Sequence, residues 1–190
     1  DSGSNQVQEI AYTLNSMVFL VYELTKRELK PKIIFDQLAF TLGISSSYFV
    51  EIAKFMAFNS LLSEIAQKYH IILHPIDLVA KTSVWSISVT DANTNMLRAT
   101  TEAMSAILGN ATAVEIDPYD HQFKKPNDFS RRISGNIANI LKEEAYFGKV
   151  SNPVSGSFYI EELSLQLAGE ALELFKKTEA KDSYINKIEK

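Results

Sequence analysis

The sequence predicts a helix-rich α/β fold with about three short parallel strands, and three observations predict it. Apolar residues recur at helical spacing over several long segments. Short, nearly all-apolar runs stand between those segments, as in strands buried on both faces. The order that results, α, β, α, β, α, β, α, α, is that of βα units around a parallel sheet. A closed βα barrel needs eight strands, so three make a partial (β/α)8 TIM barrel.

Each element has its own local reason. Val7, Ile10, Ala11, Leu14, Met17, Val18 and Val21 form one stripe, which predicts a helix over about Asn5 to Glu28. Phe19, Leu20 and Leu24 lie off that stripe, so this helix is expected to pack on two neighbours. Pro31 marks the break after it. Leu38–Ile44 reads as the first strand, and Ser45, Ser46 and Ser47 offer caps for a helix carrying Phe49, Ile52, Ala53 and Met56. Ile76–Ala80 is the second strand. Val84–Thr90 alternates strictly and is a further strand candidate. Asp91 caps a helix that ends at Gly109, read as a C′ glycine. Ala113–Ile116 is the third strand. Asn127 or Asp128 opens a helix to about Phe147, closed by Gly148, and a last helix covers about Ile160 to Lys177. The organisation expected is one barrel-like domain over residues 1–177 and a charged tail over 178–190.

Composition narrows the function classes. The chain has 190 residues, enough for one real core. A net charge of −4 with scattered basic residues argues against nucleic acid as a partner. The absence of cysteine removes disulfides, thiolate metal sites and a cysteine nucleophile, and suits a reducing, cytoplasmic setting. Met17–Tyr22 is too short an apolar run to span a bilayer, so no membrane role is expected. The polar start without methionine reads as a processed product or an excised fragment.

Several residues invite chemistry. His121 follows a strand end, where barrel enzymes place function; a solvated loop histidine is the competing reading. His70 and His74 have a metal-like spacing, which the neighbouring Pro75 opposes. Glu143 and Glu144 are adjacent, so on a helix they point about 100° apart and do not share a site. Ser155-Gly156-Ser157 lacks the lysine and glycine spacing of a phosphate loop. Arg131-Arg132 at a helix start reads as surface pairing, against an anion-binding alternative.

Three blocks carry a resemblance. The first is Asn95-Met96-Leu97-Arg98-Ala99-Thr100-Thr101-Glu102-Ala103-Met104-Ser105-Ala106-Ile107-Leu108-Gly109. The second is Phe129-Ser130-Arg131-Arg132-Ile133, followed by Ile140-Leu141-Lys142-Glu143-Glu144. The third is Asn152-Pro153-Val154-Ser155-Gly156-Ser157-Phe158-Tyr159-Ile160-Glu161. In order and spacing they resemble the methylmalonyl-CoA mutase family. The resemblance implies a (β/α)8 barrel whose bore holds an acyl-CoA, and an isomerase that interconverts methylmalonyl-CoA and succinyl-CoA with adenosylcobalamin. It implies that this chain supplies about the last three βα units. Many bacterial members are heterodimers of a large catalytic and a small inactive subunit.

The departures point to the small subunit. Catalytic members carry His-x-Gln-Thr-Ser-Gly and then Trp at a strand end. Here the register reads Val79-Ala80-Lys81-Thr82-Ser83-Val84-Trp85. Valine neither donates a hydrogen bond nor shuttles a proton. The lower-ligand motif Asp-x-His-x-x-Gly is absent around His70, His74 and His121. The expectation is a chain with no catalytic residue and no bound metal or cofactor, supporting a large catalytic subunit. The alternatives are a fragment of a catalytic acyl-CoA mutase barrel and a stand-alone acyl-CoA or anion-binding module using Lys81. Lys81, Thr82, Ser83 and Trp85 are the expected relics of a substrate pocket, with simple packing as the competing reading for the last three. A three-stranded piece also leaves edges and an inner face, expected to include Phe40 and Leu42, to be covered by self-association or a partner. The two-sided helix Asn5–Glu28 is the expected contact.

Overall fold

The computed structural model describes residues 3–74 and 76–180. Asp1, Ser2, Pro75 and the tail from 181 onward lie outside the described residues. Strands β1 (Ala39–Ile44), β2 (Asp77–Thr82) and β3 (Ala113–Glu115) form one sheet in the order β1-β2-β3, and both pairings are parallel. Six helices accompany them among the described residues: α1 (Gln6–Lys26), α2 (Pro31–Phe35), α3 (Tyr48–Lys68), α4 (Ala92–Leu108), α5 (Asp128–Asn139) and α6 (Phe158–Glu179). The predicted α/β class, its helix-rich character and its three parallel strands are what the chain forms.

Local chemistry sets the ends of these elements. Asn5 opens α1 with a capping box: its side chain accepts from the Gln8 amide, and the Gln8 side chain accepts from the Asn5 amide. Asp91 opens α4 by accepting from the Asn93 amide and the Thr94 hydroxyl. Those two hydrogen bonds, Thr94's first, hold the Asp91 carboxyl below its ordinary pKa. Asn127 opens α5, its side chain accepting from the Ser130 amide at 2.9 Å.

One face of the sheet is built for burial. Phe40, Leu42 and Ile44 of β1 and Leu78 and Ala80 of β2 are buried and join Phe55, Phe58 and Leu62 of α3 in the main core. Phe40 meets Phe58 edge-on, with ring centroids 5.1 Å apart. α1 contributes Ile10, Leu14, Met17 and Val21 to the same core, and α6 packs along both α1 and α3. The buried side chain of Asn15 in α1 donates to the Phe175 carbonyl and to Glu179 Oε1 in α6. The opposite sheet face carries Thr41, Gly43, Val79, Lys81, Ala113 and Glu115, all half-buried or exposed. Phe40 and Leu42 therefore belong to the helix-covered side. Strand alternation decides this: the large apolar residues occupy one parity and the small or polar ones the other.

Four local expectations change. Val84–Thr90 is not a strand: Val84–Ser86 forms a 3-10 turn, and the N–H and C=O of Ser88 are both taken by the Asn95 side chain. A ladder would need those groups, so side-chain capture replaces it. Pro31 does more than break α1; it stands at the first position of α2. Gly109 has φ −79, and Asn110 takes the left-handed conformation at φ 68. The glycine is demanded instead by packing, because a Cβ there would lie 2.7 Å from Phe55 Cβ and 3.0 Å from the Ile52 carbonyl oxygen. Finally, α5 gives way to a π turn over Ile140–Glu144, with Ala145 N–H bonded back to the Ile140 carbonyl. Tyr146 at φ 56, rather than Gly148, ends this run.

Candidate functional site

The C-terminal ends of parallel strands are where βα folds gather function. Here Gly43, Lys81 and Glu115 stand in one row across β1, β2 and β3 on the open face. Beneath them lies the row Thr41, Val79 and Ala113. Lys81 Nζ donates to Glu115 Oε1 at 2.6 Å and lies 4.0 Å from Asp117 Oδ1. The Glu115 hydrogen bond raises the Lys81 pKa further, aided by the charge of Asp117. The ammonium is thus a fixed cation already matched by its own sheet.

The remaining predicted residues follow the alternation. Thr82 turns to the buried side, where its hydroxyl accepts from the Asp117 amide at 3.0 Å. Ser83 extends the β1–β2 ladder by donating its amide to the Ile44 carbonyl, and its hydroxyl accepts from the Trp85 amide to cap the 3-10 turn. Trp85 is 75% exposed. Ser83 and Trp85 line a cavity of about 460 Å³ beside β1, whereas Lys81 and Thr82 do not.

That cavity holds a cluster unforeseen from sequence. Lys54 of α3 is 2% exposed. Its Nζ donates to Glu9 Oε2 at 2.8 Å and to the Gly43 carbonyl at 2.5 Å. Glu51 Oε2 lies 2.6 Å away as an ion contact outside hydrogen-bond alignment. Glu51 Oε1 accepts from Ser45 Oγ at 2.6 Å and from Gln6 Nε2 at 3.0 Å. Glu9 Oε1 accepts from the Gly43 amide at 2.7 Å. One ammonium thus faces two carboxylates, a wall with formal negative excess that disfavours an anionic ligand. The signal in the sequence was Glu51 and Lys54 one turn apart inside an apolar helix, with Gly43 inside an apolar strand.

A second buried group sits on the α4 side. Asn95 bonds Ser88 on one loop and the Tyr119 carbonyl on the other, and its Oδ1 accepts from Arg98 at 3.2 Å. Glu102, one turn further, is 3% exposed. Burial raises its pKa, the like charge of Glu51 adds to this, and the Ser86 hydroxyl and Arg98 oppose it.

The other singled-out residues stay apart. His121 Nδ1 bonds the Pro118 carbonyl at 2.8 Å, and Nε2 meets the Gln122 amide. His70 follows α3 with φ 56, at the opposite end of the sheet. Glu143 and Glu144 are exposed in the π turn. The Gly156 amide donates to Glu161 of its own chain at 2.7 Å. Arg131 pairs with Asp128 at 3.6 Å, and Arg132 lies over the Phe129 ring. Among the described residues no group of three His, Cys, Asp or Glu side chains is placed to hold a metal ion. No described helix is long and apolar enough to cross a membrane.

Comparison with known proteins agrees with this scaffold. The family profile described as methylmalonyl-CoA mutase matches residues 1–190. The methylmalonyl-CoA mutase small subunit of Porphyromonas gingivalis is 38% identical over 183 residues, covering 94% of this chain and 30% of that protein. The small subunit of Streptomyces virginiae is 30% identical, covering 97% of this chain and 30% of that protein. A methylmalonyl-CoA mutase of Cereibacter sphaeroides is 33% identical over 95% of this chain and 26% of its own length. The chain spans less than a third of each of these relatives. Matched along its whole length, the chain belongs to the methylmalonyl-CoA mutase family.

Proposed function

We propose that the chain is the C-terminal part of the barrel of a small, non-catalytic mutase subunit. It supports a large subunit that interconverts methylmalonyl-CoA and succinyl-CoA in a heterodimer. The observation that carries this reading is the Lys81–Glu115 ion pair on the open sheet face. The row that would meet a substrate is filled by a salt bridge, and the row below it is Thr41, Val79 and Ala113. No side chain of these rows is a poised acid or base. The alternative of an anion-binding module loses its donor, because Lys81 is already paired and the adjoining cavity wall is negative. The names of two relatives, both small subunits, point the same way.

Adenosylcobalamin belongs, on this reading, to the large subunit. The residues of this chain do not fit it. Their three histidines lack the ligand motif, and the His121 ring is held by Pro118 and Gln122. The cofactor would supply radical initiation in the assembled enzyme, and none of the residues described here touches that step.

The test is a substitution in the small subunit of the assembled mutase. Lys81→Ala is expected to leave turnover within about twofold of the parent. A fall of a hundredfold with intact assembly would assign chemistry to this chain and favour the catalytic-fragment alternative.

A further inference from the structure

Between α4 and the loops that follow β2 and β3 lies a narrow space of about 10 Å³, which is close to what one water molecule requires. Its polar walls include Glu102, Arg98, Asn95, Asp117, Ser86 and Thr82. Glu102 is 3% exposed, and its Oε1 has no hydrogen-bond partner among the described residues. Buried carboxylate oxygens are nearly always partnered. Arg98, which has five N–H donors, sends NH1 to Asn95 Oδ1.

We propose that this cavity is a single-water site, in which the water donates to Glu102 Oε1 and accepts from the Arg98 guanidinium. The other ligand classes are excluded by the walls. A metal cation would share the space with the guanidinium, and an anion would share it with two carboxylates. The volume has room for about one water molecule. A neutral molecule with both donors and acceptors is what the site accommodates. The water then joins α4 to the two loops that Asn95 already ties together, so the ends of β2 and β3 are held through one shared anchor.

A high-resolution crystal structure of the chain tests this, with Glu102→Leu as the second sample. The expected result is one spherical density peak within hydrogen-bond distance of Glu102 Oε1 and Arg98, lost in the leucine variant. A map with no peak there overturns the proposal. So does an Arg98 side chain turned directly onto Glu102 and filling the space. If the leucine variant does not fold, the parent map alone decides.

Discussion

Glu102 has a consequence for stability that can be measured. A carboxyl whose pKa is raised by folding favours the folded state most while it is protonated. Its contribution is fully present below its ordinary value of 4.5 and is lost as pH rises through the raised value. Glu102→Gln removes the ionisation by putting an amide of nearly the same shape in place of the carboxyl. The variant is therefore expected to gain on the parent as pH rises from 4.5 toward neutrality, when both are followed by urea unfolding across pH. A constant gap between the two curves would show that Glu102 does not titrate in this range. The sequence displayed this glutamate among the apolar positions of a helix, but not the Glu51 charge that acts on it. That charge arrives from α3, about fifty residues earlier, and only packing brings the two helices together.

Gly109 shows how an element depends on its neighbour. Where a glycine supplies a left-handed turn, any added side chain strains the backbone. Here φ is −79, and the clash is with Phe55 and Ile52 of α3. Gly109→Ala is expected to cost about 1–3 kcal/mol, the range of an overpacked core. Asn110→Gly, at the true left-handed position, is expected to be neutral or mildly stabilising. Chemical denaturation of both variants separates the two readings of this helix end; an unharmed Gly109→Ala would refute the packing account. Periodicity made the long helices legible, because burial imposes the 3.6-residue repeat directly. Where side chains capture the backbone, as Asn95 captures Ser88, the alternating pattern of Val84–Thr90 misleads. The π turn after α5 was equally invisible, since its residues read as ordinary helix.

At the scale of the whole molecule, the open sheet face is small and polar, so the apolar drive to cover it is weak. Apolar exposure is found elsewhere, at Phe49, Phe158, Tyr159 and Leu165, with Phe49 and Tyr159 in edge-on contact at 5.8 Å. Among the described residues β3 also pairs with a strand on one side only. Self-association at micromolar concentration is expected by light scattering, and Phe158→Ser with Tyr159→Ser is expected to reduce it. A parent chain that scatters as a monomer would contradict this. The three parallel strands and the family scaffold were legible because local spacing and three ordered blocks encode them. The site was legible only in outline. Lys81 was visible, but its partner Glu115 lies 34 residues away, and only strand register sets them side by side.

The Glu9–Lys54 clasp on β1 bears on how the protein resists misassembly. Gly43 turns its N–H and C=O away from β2, toward a free edge, and both are taken by side chains. A foreign strand arriving at Gly43 finds its donor and acceptor already taken, so a charged pair performs at that point of the edge the protection that edge lysines or prolines give other sheets. The amide hydrogen of Gly43 should accordingly exchange with solvent deuterium as slowly as those of the β1–β2 ladder. In Lys54→Met, which leaves Glu9 without its counter-charge, that protection should fall and turbidity on gentle heating should rise.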